Sequence, residues 1–439
     1  MSSPQRTLSK GHSRNKSSVT KATRPRSSTK GPLDAEDDPL TSAAVAAAQA
    51  AQLSPTQQST PLRSPSGIRR SAAASPVPQL GEARPKEFSF LLRPEIYHPL
   101  TPLNVPTAFR NSVKQPDASV PLEDLIAKGH FRAAAIAAVQ ELTGSSASGP
   151  LDPRDSKRIF ELLYTRLACL TLIDATPLAA QEVKALEDLS DPRVYVDDAT
   201  GEHLVPWELR VLIVRLQGLG FGDRRRSVMS YHELAREARD HIIKAAAQHD
   251  NSSRELWKAR LRDLGIKVAS ALIDMEDTAG AAHHLASLKD RGDDKMVLSK
   301  ALLWLHVGDV ENARDCARQC SGEGGTAEKV ILALCNMADA DFEAALEEWQ
   351  SLDDLDDEMV GVNKAVCLLY LGRMQEGREL LEGLVRAGQT SRTLLFNLST
   401  TYELCTDKSR NLKLRLAERV AGLNETPAGW EKTNADFKL

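Results

Sequence analysis

Aromatic side chains make up only 5% of this 439-residue chain. With few large rings and abundant alanine, the composition points to helices packed through small residues. No apolar run approaches about 20 residues, so no segment is expected to span a bilayer. The opening stretch MSSPQRTLSK has no apolar core, and no secretory signal peptide is expected there. Cysteine is scarce. The six thiols, Cys169, Cys316, Cys320, Cys335, Cys367 and Cys405, are scattered through helical segments. Together these absences predict reduced thiols in a cytoplasmic protein. The body also lacks positive charge. Residues 1–32 hold eight Lys or Arg and no acid, and the remaining 407 carry 48 cations against 60 acids, a net of -12. An acidic body argues against nucleic acid as the main partner.

What the chain does have is a period. Ala269, Ala301, Ala333 and Ala365 recur every 32 residues. Seven residues on stand Glu276, Gly308, Ala340 and Gly372; five further on stand Ala281, Ala313, Ala345 and Gly377. Larger residues keep the same phase: Leu285, Ala317, Trp349 and Leu381, then Leu288, Cys320, Leu352 and Leu384. Such a phase predicts stacked pairs of antiparallel helices. The first alanine sits where the helices of a pair cross. Gly308 and Gly372 end the first helix in a left-handed conformation. The second small residue lets the return helix lie close. This is the tetratricopeptide-type pattern, with a period of 32 in place of the usual ~34. The expected fold is an all-α, tetratricopeptide-like solenoid, its in-phase repeats at about 262–388.

Around that array the chain divides by composition. Residues 1–86, rich in Ser, Pro and Ala, read as a disordered basic tail in which Ser3, Ser54, Ser64 and Ser75 precede proline. Residues 87–120 read as an extended strap, since Pro94, Pro99, Pro102 and Pro106 preclude a long helix. Phe88, Phe90, Leu91, Tyr97 and Phe109 make the strap a candidate docking element, lying on the chain's own helices or in a partner's groove. From Pro121 the pattern is helical, with Gly129 and Ala134 at the offsets of the later repeats. Helices are expected at roughly 155–174, 178–189, 205–218, 228–249 and 253–275, then at 391–404 and 408–422. The solenoid so spans 121–424, and 425–439 is left as a C-terminal tail.

No constellation of catalytic, cofactor-binding or metal-ligating residues emerges. Cys316 and Cys320 share a helix face, but Cys320 holds a position that is leucine in the other copies, and no zinc-type spacing is complete. His283, His284 and His306 have no carboxylate or thiol at catalytic spacing. SGEGGTAEK (321–329) follows a helix and lacks the Walker spacing. The acidic run from Asp353 to Glu358 reads as a solvated face. Nor do Ile266, Leu298, Val330 and Val362, or Ser270, Leu302, Leu334 and Val366, supply the Lys and Asn with which chaperone-binding tetratricopeptide domains grip acidic tails.

At the C-terminal repeats the wording becomes specific. VNKAVCLLYLGRMQEGRELLEGLV (362–385) followed by TLLFNLSTTYEL (393–404) closely resembles the subunit 12 family of the trafficking protein particle (TRAPP) complex. Lys364 and Ser399-Thr400-Thr401 depart from that family's wording. Weaker similarity in LEDLIAKGHFRAAA and VPWELRVLIVRLQGLG extends the resemblance over about 121–424. It implies a non-catalytic, cytosolic adaptor in a vesicle-tethering, Rab-activating assembly. The implied neighbours are large subunit 11 and subunits 8 and 13, with a Rab GTPase contacted only indirectly. The implied location is peripheral, at the endoplasmic reticulum–Golgi intermediate compartment and Golgi. The repeat pattern alone also fits an adaptor of another assembly, such as a ubiquitin ligase.

Overall fold

The computed structural model describes residues 86–439 apart from 147–148, 290–292, 321–324 and 353–356. The reading of 1–86 as a tail, its Ser-Pro positions, residues 321–324 of the glycine-rich loop and Asp353–Asp356 therefore lie outside the described residues, as does all but Lys86 of the N-terminal region. Among those described, the chain is all-α, with short 3-10 turns and one isolated antiparallel bridge, Val196 to His203. A short helix α1 (Thr107–Arg110) precedes eight helix pairs. They are α2 (Leu122–Ala127) with α3 (Phe131–Leu142), and α4 (Ser156–Leu172) with α5 (Thr176–Val183). After the short α6 (Pro192–Tyr195) come α7 (Trp207–Phe221) with α8 (Arg224–Ala247), and α9 (Asn251–Asp274) with α10 (Thr278–Ser287). The last four are α11 (Asp294–Val307) with α12 (Val310–Ala317), α13 (Thr326–Ala338) with α14 (Phe342–Gln350), α15 (Glu358–Tyr370) with α16 (Met374–Arg386), and α17 (Arg392–Cys405) with α18 (Ser409–Gly422).

One turn recurs between the helices of a pair. Gly129, Asp174, Gly222, Glu276, Gly308, Ala340 and Gly372 all have positive φ, from 61° at Asp174 to 92° at Gly308. In the in-phase copies the next residue donates its N–H five residues back: Asp277 to Leu272, Asp309 to Trp304, Asp341 to Asn336 and Arg373 to Leu368, at 2.8–3.0 Å. This closes the helix end and reverses the chain in two residues. The aspartates then cap the return helix, accepting from the N–H of Gly280, Asn312 and Ala344. The signal in the sequence is thus a left-handed residue followed by Asp. It tolerates Glu276 and Ala340 in place of glycine at a cost of ~1–2 kcal/mol each.

The phased alanines sit at the crossings. Ala269, Ala301, Ala333, Ala281, Ala313 and Ala345 are fully buried and Ala365 is 5% exposed. At Gly377 a Cβ would stand 3.1 Å from the Ala365 carbonyl oxygen, so the fourth crossing is tighter than the others. Trp349, fully buried, and Trp304, 4% exposed, fill the spaces between pairs. Cys320 packs at the edge of the Ala301–Ala313 core.

Three segments differ from their reading in the sequence. The strap is not extended throughout: it makes 3-10 turns at Ser89–Leu92 and Pro94–Ile96 before α1. The stretch 425–439, read as a tail, is packed. Trp430 is 3% exposed and Phe437 fully buried, in one core with Phe109 of α1, Leu398 of α17 and Leu416 of α18. The helix expected at 178–189 ends early, at Val183, and passes through a 3-10 turn to Glu187, whose φ is 50°.

Candidate interaction surfaces

The strap's apolar side chains lie against the chain's own helices. Phe88 is fully buried, edge-on to Phe160 of α4 at 4.9 Å and beside Tyr195 of α6 at 6.0 Å. Phe90 is half-buried next to it, and Leu91 is 1% exposed. Tyr97 donates its hydroxyl to the Leu91 carbonyl at 2.7 Å, and burial raises its pKa well above the ordinary tyrosine value. Phe109 meets Trp430 at 5.3 Å and Phe437 at 6.1 Å.

A buried ion pair holds the strap's polar backbone. Arg166 of α4 and Glu182 of α5 bind each other through two hydrogen bonds, 2.9 and 2.6 Å, with side chains only 2% and 0% exposed. The remaining valences go to neighbouring backbone. Arg166 donates to the carbonyls of His98 and Ala135, and Glu182 accepts the His98 N–H at 2.9 Å. A buried pair survives desolvation only when its other donors and acceptors are met, and the backbone of His98 and Ala135 meets them here.

A second seam joins the two ends of the array. Arg132 of α3 donates to Glu431 at 2.6 Å, to the Thr101 carbonyl at 2.6 Å and to Asn104 at 3.0 Å. The backbone N–H of Trp430 donates to the Gly129 carbonyl, and that of Asn434 to the Asn104 carbonyl. His130, 4% exposed, packs on Trp430 and lies 3.2 Å from Glu425. Lys114 reaches the carbonyls of Gly422 and Leu423 at the end of α18. The first and last helix pairs are thereby tied through 101–115 and 425–439. An open solenoid would leave those end faces to water.

Several concavities open among the described residues, including two with strongly charged walls. One, of about 800 Å³, lies between the 187–207 connection and helices α8 and α9. In it Trp207 meets Trp257 edge-on at 5.1 Å, His241 stacks on Trp257 at 4.1 Å, and the Arg260 guanidinium covers the Trp257 ring at 4.6 Å. Its charges answer one another, as in the Arg210–Glu237 pair at 2.7 Å. Burial opposes ionisation of Glu237, but the Arg210 hydrogen bonds and charge hold its carboxyl below the usual range. The other, of about 570 Å³, is bounded by α1, α18 and the 434–439 segment. Sequence reasoning singled out neither: the second joins 105–110 to 410–439, and the first is a gap between consecutive elements that no residue pattern marks.

Most of the groups weighed for chemistry are held structurally, while His283 and His306 are exposed on their helices. Cys169, Cys316, Cys335 and Cys367 are buried, and burial pushes the Cys169 and Cys367 thiols up to about 11. Such thiols stay protonated and are poor nucleophiles at neutral pH. His284 is spent on the Gly265 carbonyl at 3.0 Å. Among the described residues no group of three or more His, Cys, Asp or Glu is placed to hold a metal ion, and no helix is long and apolar enough to cross a membrane.

Helix pairs, small residues at the phased crossings and left-handed turns within seven of the eight pairs define a tetratricopeptide-like α-helical repeat protein. In particular, the chain is similar to trafficking protein particle complex subunit 12 of Homo sapiens, 25% identical over 351 residues, which are 71% of this chain and 47% of the relative. The Mus musculus counterpart is 25% identical over 296 residues, 60% of this chain and 37% of the relative. This chain spans less than half the length of either relative. No family model matches it. Among solved structures, a tetratricopeptide repeat protein from Parabacteroides merdae is 11% identical, covering 60% of this chain and 90% of its own, with a TM-score of 0.34. The tetratricopeptide domain of P58(IPK) is 10% identical, covering 72% and 94%, with a TM-score of 0.19. Scores this low carry no argument about the path of the array; the fold assignment rests on the helix pairs themselves.

Proposed function

We propose that this chain is a non-catalytic scaffold subunit of a TRAPP-type vesicle-tethering complex, acting through protein–protein contacts in transport between endoplasmic reticulum and Golgi. The observation that carries the reading is its similarity to the subunit 12 relatives across 60–71% of the chain, on an array of helix pairs. Helical-repeat arrays present long surfaces suited to holding partners in register. The buried, protonated thiols and the backbone-bound His284 support a role without side-chain chemistry. In this reading the partners are large subunit 11 and neighbouring subunits 8 and 13. A Rab GTPase is engaged only through the assembled complex, and membranes are met peripherally at the intermediate compartment and Golgi.

Affinity purification of the tagged full chain from its own cells tests the reading. TRAPP subunits should co-purify in fixed proportion and co-migrate with it on gel filtration. Recovery of a ubiquitin-ligase assembly without any TRAPP subunit would replace it with the adaptor alternative.

A further inference from the structure

On this acidic body helix α18 runs against the trend. Between Lys408 at its start and Gly422, α18 brings Arg410, Lys413, Arg415 and Arg419 against a single acid, Glu418. Its apolar side is used up: Leu416 and Val420 are buried in the core with Trp430 and Phe437, and Leu412 packs against them. Arg410, Arg415 and Arg419 consequently face solvent.

The cleft of about 570 Å³ opens beside this face. Arg110 of α1 stands on one wall and Arg410 on the other, both exposed, and among the described residues neither has a carboxylate within ion-pair distance. Deeper in the cleft Lys413 and Lys438 share one carboxylate, that of Glu403, so this trio keeps a positive charge. Glu418 is the one acidic side chain among the lining residues. Leu414, 41% exposed, and the half-buried Ala108 supply an apolar strip between the cations.

We propose that this cleft is a docking site for an acidic protein segment bearing an apolar side chain. Its carboxylates pair with Arg110 and Arg410 while the apolar group covers Leu414. The cleft's size is in the range of binding clefts generally, and its uncompensated cations steer an anionic partner toward it. A lipid surface fits poorly, because the apolar side of α18 is already buried and cannot insert.

Fluorescence anisotropy on the full chain reads the proposal, with a dye-labelled peptide of alternating Glu and Leu and a counterpart carrying Gln for Glu. The Glu peptide should bind, more weakly as salt is raised, and the Gln peptide about tenfold less tightly or worse. The double variant R110E/R410E should lose about tenfold or more in affinity while keeping its melting temperature, since both side chains are exposed. Arg236→Glu, an exposed arginine elsewhere, should bind as wild type. Should the double reversal lower the melting temperature, Arg410→Gln supplies the same readout. Equal binding of the two peptides, or undiminished binding by the variants, overturns the proposal. So does binding of phosphatidylserine vesicles, lost in the double variant, by a protein that ignores the peptide. Membership of a tethering complex is not assumed, and none of these outcomes bears on it.

Discussion

The Arg132 guanidinium meets the Glu431 carboxylate at 2.6 Å across 299 residues of sequence, and this contact ties the first helix pair to the last. Both side chains are about nine-tenths buried, at 10% and 11% exposure. Arg132 holds the strap carbonyl of Thr101 with the same guanidinium, so one side chain joins three separate stretches of chain. In a repeat array, stability is a sum of units and nearest-neighbour interfaces. Joining the ends adds an interface that local contacts do not supply and removes two open end faces.

Gly129 is the tightest point of that joint. Its φ is 73°, and a Cβ there would stand 2.2 Å from the Thr426 carbonyl oxygen and 2.7 Å from the Gly429 Cα. Both contacts are backbone and cannot swing away. Gly129→Ala should therefore destabilise the protein by ~3 kcal/mol or more, the sum of left-handed strain and overpacking. Small-angle scattering should also report a larger radius of gyration. A folded Gly129→Ala protein with wild-type dimensions and midpoint would mean the ends are not joined in solution.

The strap offers an independent test. Replacing Glu182 with Gln removes the charge that answers Arg166 and weakens the acceptor of the His98 N–H. Breaking one side of a buried pair costs ~3–5 kcal/mol. The loss should be local as well as global. Hydrogen exchange at residues 88–98 should accelerate more than exchange in the repeats around Ala333. Uniform acceleration throughout would mean that the pair supports α4 and α5 alone.

The repeats were legible in the sequence because their constraints are local. A left-handed turn admits few residues, an N-cap wants Asp, and a close crossing wants Ala, so each requirement leaves a mark at fixed spacing. The joint between the ends leaves no such mark. Arg132 and Glu431 lie 299 residues apart, the stretches 101–115 and 425–439 lack periodicity, and only contact makes them meaningful. One signal was present: Trp430 and Phe437 fall within fifteen residues in a chain where aromatics are 5%. Rings that close together are seldom left in water. The buried ion pair was also marked, since Arg166 interrupts the apolar stripe Ile159, Leu162, Leu163, Leu167 and Leu170 of α4. What the sequence did not carry is which distant carboxylate would answer it.

Stability should also fall toward acid pH, partly through His203. Its Nδ1 accepts the Val205 N–H at 3.0 Å, so its proton sits on Nε2, which donates to the Leu189 carbonyl at 3.0 Å. The ring is thus needed neutral. Burial, then the Arg210 charge, lowers its pKa. His232 and His241 are lowered too, in each case chiefly by burial. A base with a depressed folded pKa is protonated more readily in the unfolded chain. Its contribution is present above the ordinary histidine value of about 6.5 and is lost as pH falls below it. The melting temperature should drop between about pH 7 and about pH 5.5. His203→Gln should make that drop shallower, leaving the part due to His232 and His241. An unchanged slope in the variant would mean that His203 is accessible to protons in the native state without cost.

Two substitutions in one repeat should act with opposite sign. Ala333 is fully buried where α13 crosses its neighbours, and Ala340, seven residues on, has a φ of 62° in the turn to α14. Ala333→Leu inserts three carbons where there is no space and should cost ~1–3 kcal/mol. Ala340→Gly relieves left-handed strain worth ~1–2 kcal/mol, less the entropy that glycine adds to the unfolded chain, for a net gain of up to ~1 kcal/mol. Chemical denaturation of the two variants beside wild type measures both. The paired result is more demanding than either alone, because a general sensitivity to substitution would lower both midpoints. A wild-type midpoint for Ala333→Leu would place the crossing elsewhere and undo the 32-residue register. A destabilised Ala340→Gly would mean that the turn is held by something other than its backbone conformation.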